Sequence, residues 1–375
     1  MAARLKELML GKETWRGIVP GLLLAVALTA VSVGIYEGLD RVMPWKKNPL
    51  SIILIAMVLG IMVRNLIRLP GAVQPGIRFA IKKLLRFGII LMGIRLSILT
   101  VLKIGVLAVG LVAVCILSAL IITIFLSRRI GISPRLGTLI AAGTSICGVS
   151  AIAAVSPVIE AEEEETSYAI ATITLFGLVA TILYPYLAEL VLHLNTMQAG
   201  FFLGTSVHDT SQVTATALIY DQLWSHKVAG RLTGADIAIT TKLVRNTFLI
   251  LVIPGLAIFH HRMHNRKAGT GTPRMKIFAY IPLFVIGYLI VALIRSVGDA
   301  VVGSDAAGWK QFCHGVKEAA GYAIAVAIAG VGLNTNVKNL ARLGFRPFLC
   351  GFMAAVAVGA VSVSLLMMFG DRLHF

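Results

Sequence analysis

The chain has 375 residues, of which 58% are hydrophobic and only 14% are charged. Because so few polar residues could not cover the surface of a soluble domain of this length, the soluble globular class is excluded. The net charge of +17 would suggest nucleic acid in a soluble protein. Here much of the basic charge lies in short loops beside apolar runs, where it orients helices in a lipid bilayer, and no nucleic-acid partner is expected.

Apolar runs of about 18 to 25 residues recur along the chain and predict an all-α polytopic membrane protein. We expect the whole chain, 1–375, to form a single transmembrane domain, because no stretch is left for a separate soluble domain. We expect about eleven transmembrane helices, at 17–36, 48–65, 79–98, 104–126, 136–159, 167–193, 198–220, 234–259, 277–296, 315–335 and 346–369.

Alternate loops differ in charge, which predicts the orientation of the chain. One set of loops holds most of the basic residues, namely Arg64, Arg68, Arg128, Arg129, Arg135, the stretch 260–274, Lys338, Arg342 and Arg346. The other set holds the acidic stretch 160–165. Because basic loops stay inside, we expect a cytoplasmic N-terminus and an outside C-terminus.

Two internal similarities predict inverted repeats. Residues 59–65 resemble 203–209, and 83–86 resemble 242–245, which implies an offset of five helices. An odd offset inverts the second copy, so we expect five-helix repeats over about 48–193 and 198–369, after an extra first helix at 17–36. A rival pairing of 93–97 with 330–334 implies an offset of seven, also odd, so the exact partition stays open.

A polar string occurs twice inside apolar segments: Gly-Thr-Ser-Ile-Cys-Gly-Val-Ser at 143–150 and Gly-Thr-Ser-Val-His-Asp-Thr-Ser at 204–211. Such strings interrupt helices, and lipid cannot satisfy the freed backbone groups, so interruptions survive where they face a cavity. Half-helix ends of this kind bind anions. The candidate substrate-binding residues are Thr144, Ser145, Cys147, Gly148, Ser150, Thr205, Ser206 and Asn334. The alternative is that the small residues only allow close helix packing.

Ionisable residues in apolar segments are candidates for coupling or gating. Asp209 could bind a proton or sodium ion, and His208 could bind a proton near neutral pH. The alternative for Asp209 is a cap on the helix that follows. Lys242 and Arg245 open the eighth segment and could line an anion path or reach the membrane interface.

No catalytic constellation is indicated, because Ser206, His208 and Asp209 are merely adjacent in sequence. The chain has no P-loop, and the histidines at 260, 261 and 264 lack a nearby carboxylate or cysteine to complete a metal site. We therefore expect no enzyme and no bound metal. We expect no cofactor apart from a coupling proton or sodium ion.

The strings at 143–148 and 204–209, the residues 162–169 and Lys-Leu-Val-Arg at 242–245 resemble the YeiH-type sulfate exporter family over nearly the whole chain. That family is grouped with bile-acid/sodium symporters and cation/proton antiporters. The resemblance implies the bacterial inner membrane, crossing broken helices, a scaffold and a transport domain, a homodimer, and export of sulfate, sulfite or an organosulfonate. The chain lacks the Asp-Asp pair of many sodium/proton antiporters, which directs attention to Asp209 and His208.

These observations predict a secondary transporter of a small anion that works by alternating access. Its site would lie between the interruptions at 144–150 and 205–211. One alternative is a sodium- or proton-coupled organic-acid symporter on the same fold. The other is a membrane-embedded hydrolase or sensor that uses His208 and Asp209.

Overall fold

The structure is a computed structural model that describes residues 15–42, 51–224, 232–264, 283–304, 306–337 and 344–369. These residues are helical, with no strand beyond a single bridge residue, so the all-α class is confirmed. The α-helices are α1 (Trp15–Val42), α2 (Ile52–Leu66), α3 (Gln74–Phe79), α4 (Leu85–Met92), α5 (Ile98–Ile130), α6 (Pro134–Ser145), α7 (Val149–Val155), α8 (Glu163–Tyr186), α9 (Thr196–Ser206), α10 (Thr210–Trp224), α11 (Gly234–Thr247), α12 (Leu249–His264), α13 (Leu283–Gly298), α14 (Ala307–Asn334) and α15 (Phe345–Phe369). π-Helical turns follow α3, α8 and α13, at Ala80–Leu84, Leu187–Val191 and Asp299–Gly303.

Six helices within the described ranges are long and apolar enough to cross a membrane, namely α1, α5, α8, α13, α14 and α15, with α8 and α13 counted together with their π-helical turns. Helices α11 and α12 meet at a bend of 41° and would add a seventh crossing. Every predicted segment contains helix. Eleven crossing helices are nevertheless not confirmed, and the five-helix repeats stay a prediction.

The chain divides into two compact units. Unit 1 comprises Met1–Val101, Leu218–Ser225 and Phe284–Lys338, and unit 2 comprises Leu102–Ala217, His226–Leu283 and Asn339–Phe375. In unit 1, small residues bring helix backbones together: a Cβ on Gly60 of α2 would lie 2.6 Å from the carbonyl oxygen of Ala329 on α14. Small residues at helix contacts are the usual means of close packing in a membrane.

In unit 2, α6 and α8 run parallel. At their starts, the hydroxyl of Ser133 donates to the carboxylate of Glu165. Further along, a Cβ on Gly143 would lie 2.8 Å from the side chain of Ile173. Because α6 and α8 lie side by side and run in the same direction, the chain between them must return to the end at which α6 begins.

Helix α7 provides that return. Gly143 near the end of α6 faces the side chain of Ile152 in α7. Just after α7, the hydroxyls of Ser156 and Thr166 lie 2.7 Å apart, at the first turn of α8. Helices α6 and α7 therefore form a hairpin, called hairpin 1 below, whose two open ends lie at the start of α8.

A second pair of helices is interrupted in a similar way. Helices α9 and α11 run parallel, because Gly200 faces Ile237 and, further along, Gly204 faces Thr241. Between them lie α10 and residues 225–231, which are outside the described ranges. We interpret α9 and α10 as a second hairpin and call them hairpin 2.

The two hairpins approach the middle of α8 from its opposite ends. Hairpin 1 begins beside the start of α8, and α9 begins after Asn195, just past its end. Tyr184 near the end of α8 stacks on Phe202 with ring centroids 5.2 Å apart. At the tip of hairpin 2, the amide of Gln212 donates to the carbonyl of Thr174 at 3.2 Å, about halfway along α8.

The predicted single crossing of segment 136–159 is therefore wrong, since this segment returns to the end from which it started. Arg135 and Glu162, predicted on opposite sides, form an ion pair of 3.9 Å. The physical reason is length: α6 has 12 residues and spans about 18 Å, well short of the roughly 30 Å of a bilayer core.

Candidate functional site at the hairpin tips

Both interruptions predicted from the polar strings are present. Helix α6 ends at Ser145 and α7 begins at Val149, while α9 ends at Ser206 and α10 begins at Thr210. The non-helical residues between them, 146–148 and 207–209, form the two tips. Each tip joins the C-terminal end of one helix to the N-terminal end of the next.

Gly148 lets the two tips touch. Its φ of 66° lies in the left-handed region that glycine tolerates. A Cβ at this position would lie 3.1 Å from Cβ of Asp209 and 3.2 Å from its Oδ2. The second glycine of the first string is therefore required by backbone conformation and by the approach of hairpin 2.

Arg245 of α11 joins the two tips and is fully buried. Its Nε donates to the carbonyl oxygen of Ser145 at 2.7 Å, and Nη2 donates to that of Thr144. Its Nη1 donates to the carbonyl oxygens of Thr205 at 2.8 Å and Val207 at 3.1 Å. One guanidinium group thus satisfies four carbonyls, two from each hairpin.

Lys242, one turn earlier on α11, bridges the same tips and is 1% exposed. Its Nζ donates to the carbonyl oxygens of Ile146 at 2.7 Å, Val207 at 3.1 Å and His208. An ammonium group has three N–H donors, so all of them are used. The interpretation that Lys242 and Arg245 extend to the membrane interface is wrong.

The cations are placed where helix ends need them. The last carbonyls of a helix have no partner within the helix, and the helix dipole makes that end negative. Helices α6 and α9 both end at the tips, so two such ends converge there. Buried cations at these ends satisfy carbonyls that lipid could not.

The hydroxyls predicted to bind an anion are engaged within their own helices. Thr144 donates to Ile140 at 2.7 Å, Ser145 to Ala142 at 3.2 Å, Thr205 to Phe201 at 2.7 Å and Ser206 to Phe202 at 2.5 Å. Thr205 also lies 2.6 Å from the hydroxyl of Ser362. Serine and threonine commonly donate to a carbonyl one turn back. These four hydroxyl protons are therefore not free to bind a solute in this conformation.

Other predicted site residues differ in accessibility. Ser150 is exposed and Asp209 is half-buried, whereas Cys147, Gly148 and His208 are buried. Nδ1 of His208 has no hydrogen-bond partner among the described residues. Asn334 is exposed at the end of α14 and belongs to unit 1, whereas the other predicted residues belong to unit 2.

Asp209 caps the helix that follows it. Its Oδ1 accepts hydrogen bonds from the backbone N–H of Ser211 at 2.9 Å and from the Ser211 hydroxyl at 2.5 Å. The capping role considered for this residue is therefore present. Capping uses one carboxylate oxygen and leaves a coupling role open as a proposal.

Two residues of the site were missed in the sequence. Gln212 accepts from the N–H of Asp209 at 3.3 Å, and Asn246 donates to the hydroxyl of Thr210 at 3.3 Å. Both are buried polar residues within predicted membrane segments. Asn246 follows Arg245 directly, so the cluster of polar residues in segment 234–259 was the signal that could have found it.

Nothing in the described ranges groups three metal-binding side chains. The side chains of His260, His261 and His264 lie outside what the structure describes. An apolar cavity of about 650 Å³ lies between α5 and α12 and is lined by residues such as Leu120 and Leu256. Its walls suit aliphatic groups and offer little to a small hydrophilic anion.

Comparison with known proteins identifies the family. Residues 20–351 match the family model described as conserved hypothetical protein 698. The chain belongs to this family. It is 31% identical over 335 residues to a UPF0324 membrane protein of Fusobacterium nucleatum, covering 87% of this chain and 92% of the relative. It is 30% identical to one of Corynebacterium glutamicum (92% and 91% covered) and 32% identical to one of Streptococcus pyogenes (94% and 97% covered).

These relatives support a multi-pass membrane protein, in agreement with the apolar helices. Their names state the membrane and no solute. Sulfate export, implied by the resemblance to the YeiH-type family, therefore stays a prediction, as do the bacterial inner membrane and the homodimer.

Proposed function

We propose that the protein is a secondary transporter of a small anion, which binds where the tips of hairpins 1 and 2 meet. The observation that carries the proposal is the burial of two cations, Lys242 and Arg245, at this point. The two polar strings contain a single acidic residue, Asp209. Sulfate, sulfite and organosulfonates are the solutes of first choice.

The charges favour an anion over a cation. The ends of α6 and α9 contribute roughly −0.5 each, and the starts of α7 and α10 contribute roughly +0.5 each, so the helix dipoles cancel. Two cationic side chains and one carboxylate leave a single net positive charge at the tips. In a membrane interior such a charge attracts a counter-ion strongly.

Accessible groups at the tips define where the anion would bind. Lys242 uses all its donors on carbonyls, and Arg245 uses them on four carbonyls, so both act on a solute mainly through their charge. The exposed hydroxyl of Ser150 and the first turn of α10 supply hydrogen-bond donors. We propose that the anion lies beside Ser150 and Thr210, next to Asp209.

Asp209 would couple the anion to a proton. A carboxylate beside a bound anion repels it, and protonation of the carboxyl removes that repulsion. Anion and proton would then bind together and move together, and the gradients would set the direction, including the expected export. The alternative of a proton-coupled organic-acid symporter uses the same groups, so the preferred anion decides between them.

A sodium-coupled mechanism at the tips is disfavoured. In transporters with broken helices, sodium is coordinated by unwound carbonyls and helix ends. Here those of Ser145, Ile146, Thr205 and Val207 already accept from the two cations. The hydrolase alternative draws no support from His208, since its side chain is buried at the tips.

We also propose a revised topology. Each hairpin removes one crossing, and together they leave the orientation of every later helix unchanged. A cytoplasmic N-terminus and an outside C-terminus therefore stay the expectation, with hairpin 1 entering from the cytoplasm and hairpin 2 from outside. Alternating access would expose the tips first to one side and then to the other.

A panel of anions tests the function. The full-length protein in detergent should be stabilised against heat by its solute, since a ligand that binds the folded state alone raises Tm. Sulfate, sulfite, methanesulfonate, succinate and chloride would be compared at equal ionic strength. A saturable rise with one class, followed by counterflow of that anion in proteoliposomes, is expected. Uniform responses across the panel would contradict a specific anion site.

A further inference from the structure

The surroundings of the Lys242 ammonium have the character of a cation site. The three hydrogen-bond acceptors that the structure gives Nζ are backbone carbonyl oxygens, from Ile146 on one tip and from Val207 and His208 on the other. The distances from Nζ to Ile146 and Val207, 2.7 and 3.1 Å, lie in the ordinary range for N–H···O hydrogen bonds. The group of three oxygens is called the carbonyl cage below.

Carbonyl groups of this kind bind free cations in other membrane proteins. Rings of backbone carbonyls replace the hydration shell of potassium in channels, and unwound helix ends coordinate coupling ions in transporters. An ammonium group carries the same charge as an alkali cation and is close to potassium in size. The cage is therefore the kind of site that would hold a free cation if the lysine were absent.

We propose that Lys242 is a tethered cation that permanently occupies an alkali-cation site between the two hairpin tips. The tips consequently stay joined without any ion from solution. As a deepening of the proposed function, and resting on it, this makes anion transport independent of sodium and potassium at this position. The occupancy of the cage itself can be tested without any transported solute.

The test is removal of the tether followed by rescue with free cations. In Lys242→Ala the ammonium and most of its stem are lost, which leaves the cage empty and a space beside it. The purified full-length variant would be titrated with potassium, sodium or n-propylammonium chloride, with choline chloride keeping the ionic strength constant. We expect a saturable rise of Tm of roughly 3 °C with potassium and n-propylammonium.

Two controls distinguish occupancy of the cage from general salt effects. The wild-type protein, whose cage is filled, should show no saturable response to any of the three cations. Lys242→Met keeps an apolar stem of similar size and leaves no room for an ion, so it should be destabilised and not rescued. Because no anionic solute is varied, failure here leaves the anion panel unaffected, and failure of the anion panel leaves this result unaffected.

The outcomes are decisive in both directions. An alanine variant that responds to the cations no more than wild type does, or a wild type that is itself stabilised saturably by sodium or potassium, overturns the proposal. Should Lys242→Ala give no folded protein in any of the salts, Lys242→Arg decides. Folded Lys242→Arg in choline chloride supports a resident cation, and unfolded Lys242→Arg contradicts it.

Discussion

Arg245 Nη1 donates to the carbonyl oxygen of Thr205 at 2.8 Å, although forty positions separate the two residues in the sequence. Through its other nitrogens the same side chain binds the end of α6. A single residue of α11 thereby joins two hairpins that approach from opposite ends of α8. The joint depends on backbone carbonyls of the two hairpins and not on the side chains of the tips.

Replacement of Arg245 is expected to destabilise the protein severely. Arg245→Met would remove a donor from four buried carbonyls, of which Val207 keeps the ammonium of Lys242. Each group left unsatisfied costs about 1–3 kcal/mol. Arg245→Lys can donate to three carbonyls at most and should be intermediate. Thermal unfolding and yield in detergent measure this, with the exposed Arg129→Met as the matched control. An Arg245→Met protein as stable as this control would contradict the account.

The hydroxyls of the two strings should separate into structural and binding groups. Thr205→Val removes hydrogen bonds to Phe201 and Ser362 and should cost about 1 kcal/mol of stability without changing anion affinity. Ser150→Ala should leave Tm unchanged and weaken anion binding by about fivefold, the value of a modest hydrogen bond. Titration of the anion identified by the panel measures both. A reversed pattern would place the anion among the buried hydroxyls instead.

Asp209→Asn should abolish the pH dependence of anion binding. Because the proposed mechanism binds anion and proton together, affinity in the wild type should rise as pH falls. Lys242 and Cys147 are the charged and titratable side chains that interact with Asp209 from the other elements. The neutral asparagine should bind equally well at about pH 5 and about pH 8, and the exposed Glu163→Gln should behave as wild type. A pH profile that survives in Asp209→Asn would remove the coupling role.

The hairpin topology predicts the side from which single cysteines are labelled. Arg135→Cys and Glu164→Cys, at the starts of α6 and α8, should react with a membrane-impermeant thiol reagent from the same side. His193→Cys, just past the π-helical turn after α8, should react from the other side. The four natural cysteines are buried and should react slowly. Labelling of positions 135 and 164 from opposite sides would restore a simple crossing of segment 136–159.

Gly148→Ala should loosen the contact between the tips. The backbone conformation of Gly148 alone costs an L-residue about 1–3 kcal/mol, and the added Cβ would also press on Asp209. Lower Tm and weaker anion binding are expected together, because the change alters the geometry beside Asp209. Gly143→Ala, which would press on the side chains of Ile173 and Ile152 instead, serves as a comparison: it should lower Tm with a smaller effect on binding. If the two variants weakened anion binding equally, binding would not depend on the geometry of the tips.

The interruptions could be predicted from sequence because glycine, serine and threonine are poor helix residues wherever they cluster. The direction of the chain after each interruption could not. A return and a straight continuation use the same short apolar helices, and the choice depends on contacts such as Ser133 with Glu165, between positions far apart in the sequence. For this reason the predicted number of crossings was not confirmed, while the positions of the breaks were correct.

The chemistry of the site was predicted only in part, for a different reason. Lys242 and Arg245 could be selected as unusual cations in apolar surroundings. Their partners could not, because every residue carries a carbonyl group and nothing in the side-chain sequence marks Ser145 or Val207 as an acceptor. Hydroxyls attract attention in a sequence, yet here Thr144 and Ser206 use theirs to satisfy their own helices.

The bond between Arg245 and Ser145 spans 100 positions of the chain, which has a consequence for biosynthesis. Hairpin 1 is translated long before α11, so its carbonyls have no cationic partner while the ribosome is still making α8 to α10. A newly made hairpin 1 must therefore wait in a wet setting, at the lipid headgroups or within the insertion machinery. It can settle to its final depth only after α11 emerges and delivers its guanidinium.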